Sequence, residues 1–355
     1  MNHLRLATDE SARQSAASSL QVAVMSCSRR NLLRTSCLTA GACLLGLGGA
    51  AEAVTLDART IKGQHYYTAN SIKKFYRFSS MRVAGSKLVF ENARFRVEMT
   101  IGGQTAFLNG VKFIFSFPVQ KVGSDYLISQ IDMVKLVDPV LRPAYIAQAG
   151  NFKTVILDPG HGGRDPGASC RHGNEADFTL RTCLIAKRLL ESAGYKVVMT
   201  RQRDNTLELR DRVAIANRFD NAIFISLHFN SGGGRRAHGV ETFTLSPQGV
   251  AHYGRGKRER DNTARTGNKQ DSANIALATA VHHLVVGDTK SFDRGIKRAR
   301  FSVLTGVKHP AILLEGGFLS NPQEAARIAN TRYQKTLAFA ISRAVRFYHK
   351  AVTRR

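Results

Sequence analysis

Thr154-Val-Ile-Leu-Asp-Pro-Gly-His-Gly-Gly163 decides how this chain is read. Its first four residues make an unbroken apolar, β-prone run, the pattern of a strand covered on both faces. Its second half is a turn with three glycines and one imidazole, His161. Residues 176–193 follow with helical spacing, Phe178, Leu180, Leu184, Ile185, Leu189 and Leu190 falling on one side and Gly194 supplying the stop. A covered strand, a tight turn and an amphipathic helix are the opening of a parallel α/β sheet.

Outward from that stretch the alternation continues. Residues 195–200, 222–227, 240–245, 302–304 and 311–314 read as strands, and 207–219, 273–286, 321–333 and 334–350 as helices. The fold class predicted for 153–350 is α/β, a twisted, mostly parallel sheet with helices on both faces. Sites in such sheets gather at the carboxyl ends of the strands. His161, His228 and Glu315 all fall at or just beyond those ends. Residues 246–271 are polar and basic and read as a surface loop or lid.

Each of these polar residues has an ordinary structural explanation when taken alone. His161 fits a solvated tight turn, with Asp158 and Asp165 near enough in sequence to orient its ring. Glu175 opens a helix, where the macrodipole favours a carboxylate. His228 closes the apolar run Ala222-Ile-Phe-Ile-Ser-Leu227, but Asn230, Ser231 and three glycines follow it, which a core residue does not need. Glu315 follows Ala-Ile-Leu-Leu, and a carboxylate ending a buried strand needs a partner. Together, two imidazoles and one carboxylate are the usual protein half of a catalytic zinc site. A further carboxylate held off the metal would move protons.

The remainder of the chain bounds the setting. The length, 355 residues, suggests two domains or one with an appendage, and 43% hydrophobic with 22% charged residues is an ordinary globular balance. Ser28-Arg-Arg-Asn-Leu-Leu-Arg34 precedes a short apolar stretch, and Ala51-Glu-Ala53 has the form of a cleavage site. Residues 1–53 therefore read as an export signal of the twin-arginine type, placing the protein in the periplasm or cell envelope. Cleavage would leave 47 basic against 23 acidic residues, a net +24, and two cysteines, Cys170 and Cys183. Two cysteines are no disulfide framework. The charge seeks a polyanion, and an anionic wall or membrane surface suits an exported protein better than nucleic acid, for which no motif is present.

Residues 54–141 alternate apolar and polar residues in short runs separated by Gly102-Gly103 and Asn109-Gly110, a small β-rich accessory domain. Residues 130–137 read as a short helix ended by Asp138-Pro139. Residues 142–152 read as a linker. The β-rich segment resembles the amine-oxidase-N-terminal-like modules found beside bacterial cell-wall hydrolases.

The segments after residue 153 resemble, in order, the zinc-dependent N-acetylmuramoyl-L-alanine amidases of the amidase 3 family. The matching text is Ile156-Leu-Asp-Pro-Gly-His-Gly-Gly163, Glu175 with its helix, Ser226-Leu-His-Phe-Asn-Ser231, Gly239-Val-Glu-Thr-Phe243, Asp293-Arg-Gly-Ile-Lys297, Phe301-Ser-Val-Leu304 and 310–321. The resemblance implies that His161, Glu175 and His228 bind one zinc ion (Zn2+), and that Glu315 is the catalytic carboxylate. The bond cut would join the lactyl group of N-acetylmuramic acid to L-alanine of the peptidoglycan stem. Asn230, Arg294 and Lys297 are candidate substrate contacts. Glu241 reads as a structural carboxylate, and the other histidines as surface or loop residues, His238 being the first substitute ligand. Members that are autoinhibited carry a plugging helix where this chain has the polar stretch 246–271, so no plug is expected here. The alternatives are a zinc carboxypeptidase or other peptidase acting on wall peptides, and a non-catalytic wall-binding protein. The combination of the 315–321 and 293–297 segments favours the amidase.

Overall fold

The computed structural model describes residues 55–354 with the exception of Gln148. The export signal read at 1–53 lies outside the described residues.

The first strands, β1 (Ala58–Ile61) and β2 (Gln64–Thr68), form a hairpin, and α1 (Ala69–Phe75) follows. Next comes an antiparallel meander of β3 (Ser80–Ala84), β4 (Lys87–Glu91), β5 (Arg96–Thr100), β6 (Thr105–Leu108) and β7 (Val111–Ile114). Asn109 and Gly110 both take positive φ, at 49° and 82°, as the two-residue hairpin turn between β6 and β7 requires. The pair β8 (Gln120–Val122) and β9 (Asp125–Ser129) joins β1 and β2 in a four-stranded sheet.

Asp138-Pro139 does not end the next helix. The chain runs from α2 (Gln130–Asp132) through a π turn (Met133–Val137) into α3 (Asp138–Leu141). Proline cannot donate to the carbonyl four residues back. Here that carbonyl belongs to Lys135, and the Arg298 guanidinium donates to it instead at 2.8 Å. Residues 142–152 then form two 3-10 turns, after which Phe152 stacks between Tyr195 and Tyr348 at 5.8 and 5.6 Å.

The α/β segment begins at β10 (Thr154–Pro159), all six residues of which are buried. A short hairpin, β11 (Ser169–Cys170) and β12 (Gly173–Asn174), leads into α4 (Glu175–Ser192). Then follow β13 (Lys196–Met199), α5 (Leu209–Asn217), β14 (Ala222–Asn230), β15 (Val240–Leu245), α6 (Asp271–Thr289), β16 (Asp293–Ala299), α7 (Ser302–Gly306), β17 (Ala311–Phe318), α8 (Pro322–Ala329) and α9 (Thr331–Thr353). The sheet is mostly parallel as expected: β13, β10, β14 and β17 are parallel neighbours, β15 is antiparallel to β17, and β16 is parallel to β15. One face packs on α4, α6 and α9, and a smaller apolar cluster on the other takes in Ala216, Val303 and Leu304 from α5 and α7.

Two local expectations change, and the surface loop read at 246–271 takes a definite form. Residues 302–304 are helical, because β16 is already flanked by β15 and β7 and offers no free edge. The last two helices divide at Asn330, whose side chain accepts from Arg332 N and caps the second. Segment 246–271 is a pinned structure with two 3-10 turns; its fully buried Asp261 takes a bidentate grip from Arg255 at 2.7 and 2.8 Å and lies 3.1 Å from Arg300.

The sheet does not stop at β16. Parallel pairing of Ile296 with Phe113 joins β16 to β7, so the meander extends the same sheet to eleven strands. One apolar core runs beneath both parts, from Leu88, Phe90 and Phe113 to Leu227, Leu314 and Leu337. Among the described residues no helix is long and apolar enough to cross a membrane.

Candidate metal centre

The turn after β10 brings His161 to the site with φ 59°, the left-handed region. Four hydrogen bonds hold that turn at the sheet end. Arg201 and Arg212, both almost fully buried, donate to the carbonyls of Pro159, Gly160 and His161. Asp158 does not orient the imidazole; it is buried against Arg212 at 2.8 Å, Thr200 at 2.6 Å and Ser226 at 2.8 Å, and so fixes the strand ends from below. Asp165 does reach the ring, with Oδ2 2.7 Å from His161 Nδ1. Neither arginine was singled out from sequence, although a charge directly after an apolar strand, as in Thr200-Arg201, is a signal that it serves a buried acceptor.

Glu175 is the first residue of α4, whose cap is the Asn174 side chain. Its Oε2 accepts from Ala168 N at 3.0 Å, and its Oε1 accepts from Phe229 N at 3.1 Å. Oε1 also lies 3.1 Å from His161 Nε2 and 2.9 Å from His228 Nδ1. Burial raises the pKa of Glu175, but the hydrogen bonds from His161 and His228 outweigh it and hold the carboxyl well below its usual range. Burial likewise opposes the imidazolium of His161, and Glu175 and Asp165 overcome it, raising the pKa of that ring. His228 stands near the end of β14, its ring edge-on to His161 with centroids 4.9 Å apart.

One donor atom from each of His161, Glu175 and His228 lies within 4.8 Å of the others. That spacing lets a single ion with bonds of about 2.0–2.2 Å reach all three. Two glycines clear the space: a Cβ on Gly160 would come 2.3 Å from His228 Cε1, and one on Gly167 would come 2.6 Å from His161 and 2.7 Å from Glu175 Oε2. The donor set and this clearance fit zinc.

Glu315 stands directly across from His228 in the β14–β17 register and from Glu241 in the β15–β17 register. The three side chains therefore form one row on one face of the sheet. Oε2 of Glu315 is buried without a hydrogen-bond partner. Burial first, then the charges of Glu175 and Glu241, raises its pKa well above the usual carboxylate range. Asn230, Arg294 and Lys297 all turn to Glu241. Asn230 donates to Oε1 at 2.7 Å, Arg294 to Oε2 at 3.1 Å, and Lys297 also to Oε2. Glu241 is thus more than a strand carboxylate: it is the hub that gathers these three side chains beside Glu315. The sequence carried a signal for it, a carboxylate in a fully buried strand with two cations three residues apart on the next one.

His238 is exposed, hydrogen-bonded to Arg236 O and packed on Phe292, outside the three-residue group. Two other histidines are not surface residues. His282 is buried between Thr242 and Asp293, and His309 is buried with Nε2 unpaired. Among the described residues Cys170 and Cys183 are not paired with each other and stand as free thiols.

The N-acetylmuramoyl-L-alanine amidase family matches residues 155–346, more than half of the chain. N-acetylmuramoyl-L-alanine amidase AmiA of Escherichia coli is 28% identical over 249 residues, 64% of this chain and 86% of that protein. The sporulation-specific N-acetylmuramoyl-L-alanine amidase of Bacillus subtilis is 31% identical over 186 residues, 52% of this chain and 63% of that protein. Among solved structures, the catalytic domain of CwlV, an N-acetylmuramoyl-L-alanine amidase from Bacillus (Paenibacillus) polymyxa, is 30% identical, with 56% of this chain and 99% of that one covered at a TM-score of 0.48. The chain belongs to the N-acetylmuramoyl-L-alanine amidase family, and it is a hydrolase of the peptidoglycan.

Proposed function

We propose that the protein is a zinc-dependent amidase in which His161, Glu175 and His228 hold the metal and Glu315 moves the proton. The observation that carries this reading is the row His228–Glu315–Glu241 across three neighbouring strands, with Glu175 and His161 closing over its end. Zinc bound there would supply a Lewis acid for the scissile carbonyl and lower the pKa of a water toward neutrality. Glu315, half-buried and raised in pKa, is a carboxylate able both to take a proton from water and to hand one to the departing amine of L-alanine. Asp165 fixes the His161 ring through its second nitrogen. Arg294 and Lys297 offset the charge of Glu241 beside Glu315, and Asn230 holds the other oxygen of that carboxylate. The substrate is peptidoglycan. The paired arginines and the cleavage-site pattern in 1–53 support export to the periplasm or cell envelope, and the net charge of +24 left after cleavage supports a further attraction to an anionic wall or membrane surface.

The test is mass spectrometry of peptidoglycan digested with and without a zinc chelator. Stem peptides beginning at L-alanine, released only without chelator, are the expected products. Shortened stems still attached to muramic acid would make the enzyme a peptidase instead, and chelator-resistant release would remove the metal from the mechanism.

A further inference from the structure

The sheet face that carries Glu315 and Glu241 continues onto the meander. Phe113, Ala106, Leu108, Val97, Met99, Leu88 and Phe90 of β4–β7 point into the shared core. Residues alternate across a strand, so their neighbours point the opposite way. Lys112 and Phe107 are cross-strand partners on that opposite face, and Phe107 is in turn paired with Glu98. From the row of Glu315 on β17 to Lys87 on β4 there are six strand spacings of about 4.8 Å, roughly 29 Å along the sheet.

Along this path cations lie over aromatic rings. Arg294 covers Phe318 at 4.8 Å beside the metal centre, Lys112 covers the exposed Phe292 at 5.9 Å at the junction, and Lys87 covers Phe107 at 5.2 Å on the meander. Among the described residues Lys112 makes no ion pair, and its ammonium donates only to Asp293 O, at 3.5 Å. Such pairs offer two things to one ligand. Phe292 is exposed and Phe107 half-buried, so these two rings present apolar surface to the C–H faces of sugars, whereas Phe318 is buried. Lys112 is the cation free to meet a carboxylate, since Lys87 is paired with Glu98 at 2.7 Å and Arg294 with Glu241 at 3.1 Å. A peptidoglycan strand carries both groups in alternation, sugar rings along its backbone and carboxylates on its stems.

We infer that this face of the meander is an extended substrate track. It binds the glycan strand beyond the scissile unit and makes the enzyme prefer polymeric substrate over a single muramoyl-peptide. The inference rests on the amidase reading. The continuous sheet explains why the β-rich part is fused to the catalytic part without a flexible connection: a strand bound across both would keep the next stem in register with the site.

The experiment compares kcat/KM for long soluble peptidoglycan fragments with kcat/KM for one disaccharide-peptide, using the intact protein, Lys112→Glu and Phe107→Ser. The intact protein is expected to favour the long fragments. Each variant is expected to lower the long-to-short ratio by about tenfold, the scale of one or two cation–aromatic contacts. Lys112→Glu alters a side chain without an ion pair, so it carries the test if Phe107→Ser folds poorly. An unchanged ratio in Lys112→Glu, or no preference for long fragments in the intact protein, overturns the track while leaving amide hydrolysis in place. Loss of cleavage of every substrate by the intact protein would instead remove the amidase reading. Inorganic polyphosphate serves as the competitor. If Lys112→Glu relieves its inhibition as strongly as it lowers the ratio, the face is a general polyanion surface and the glycan assignment falls.

Discussion

In the proposed mechanism a single buried oxygen carries much of the chemistry. Oε2 of Glu315 has no partner, and its carboxyl sits in a row with His228 and Glu241. A buried polar atom without a partner costs free energy in the resting protein and survives where it is used. Glu315→Gln keeps the size and removes the proton carrier. It is expected to bind zinc with the stoichiometry of the intact protein and to lose between about 10²- and 10⁴-fold in turnover. Metal analysis beside a peptidoglycan digestion assay checks both halves, and normal digestion by this variant would take Glu315 out of the catalytic role. At the same scale Asp158 and Asp165, three and four residues from His161, looked alike in sequence. Only Asp165 reaches the ring, because Thr200, Ser226 and Arg212 claim Asp158 from neighbouring elements. Which of two nearby carboxylates orients a histidine is a long-range decision, and the local sequence does not contain it.

Among the elements, the π turn between α2 and α3 shows how the two parts of the protein are fastened. Arg298 of β16 reaches out of the catalytic sheet to Asp132 at 2.9 Å, Ser116 Oγ at 2.6 Å and Lys135 O at 2.8 Å. Asp132 is fully buried and also accepts from Ser116 N, Phe117 N and Ser129 Oγ. Arg298→Met fills the space but leaves the carboxylate without its cation and the Lys135 carbonyl without a donor. Removing one partner of a buried pair typically costs about 3–5 kcal/mol. Urea unfolding should place the loss at the lower end of that range, since three donors remain on Asp132. A loss below about 1 kcal/mol would mean those donors suffice alone. The same contact explains the misread end of this helix. Pro139 reads as a stop by its own chemistry, and an arginine more than a hundred and fifty residues later supplies the missing donor.

Over the whole molecule, the eleven-stranded sheet and the core beneath it make the β-rich and α/β parts one body among the described residues. Folding is therefore expected to be cooperative across both. Calorimetry should show a single unfolding transition, and two separated transitions would mean that the meander folds on its own core. The sequence by itself determined the alternation of strands and helices and the amidase family, and it singled out His161, Glu175, His228 and Glu315 as the candidate site. Those depend on local apolar period, on glycines beside ligands and on short motifs that survive in linear order. Tertiary structure alone decided that Glu241 is the hub for Asn230, Arg294 and Lys297, that 246–271 is pinned by Asp261, and that the meander continues the catalytic sheet. Each of these is a pairing between distant segments. A strand's sequence specifies which of its faces is buried, but the neighbour that takes its free edge is chosen by the geometry of the assembled sheet.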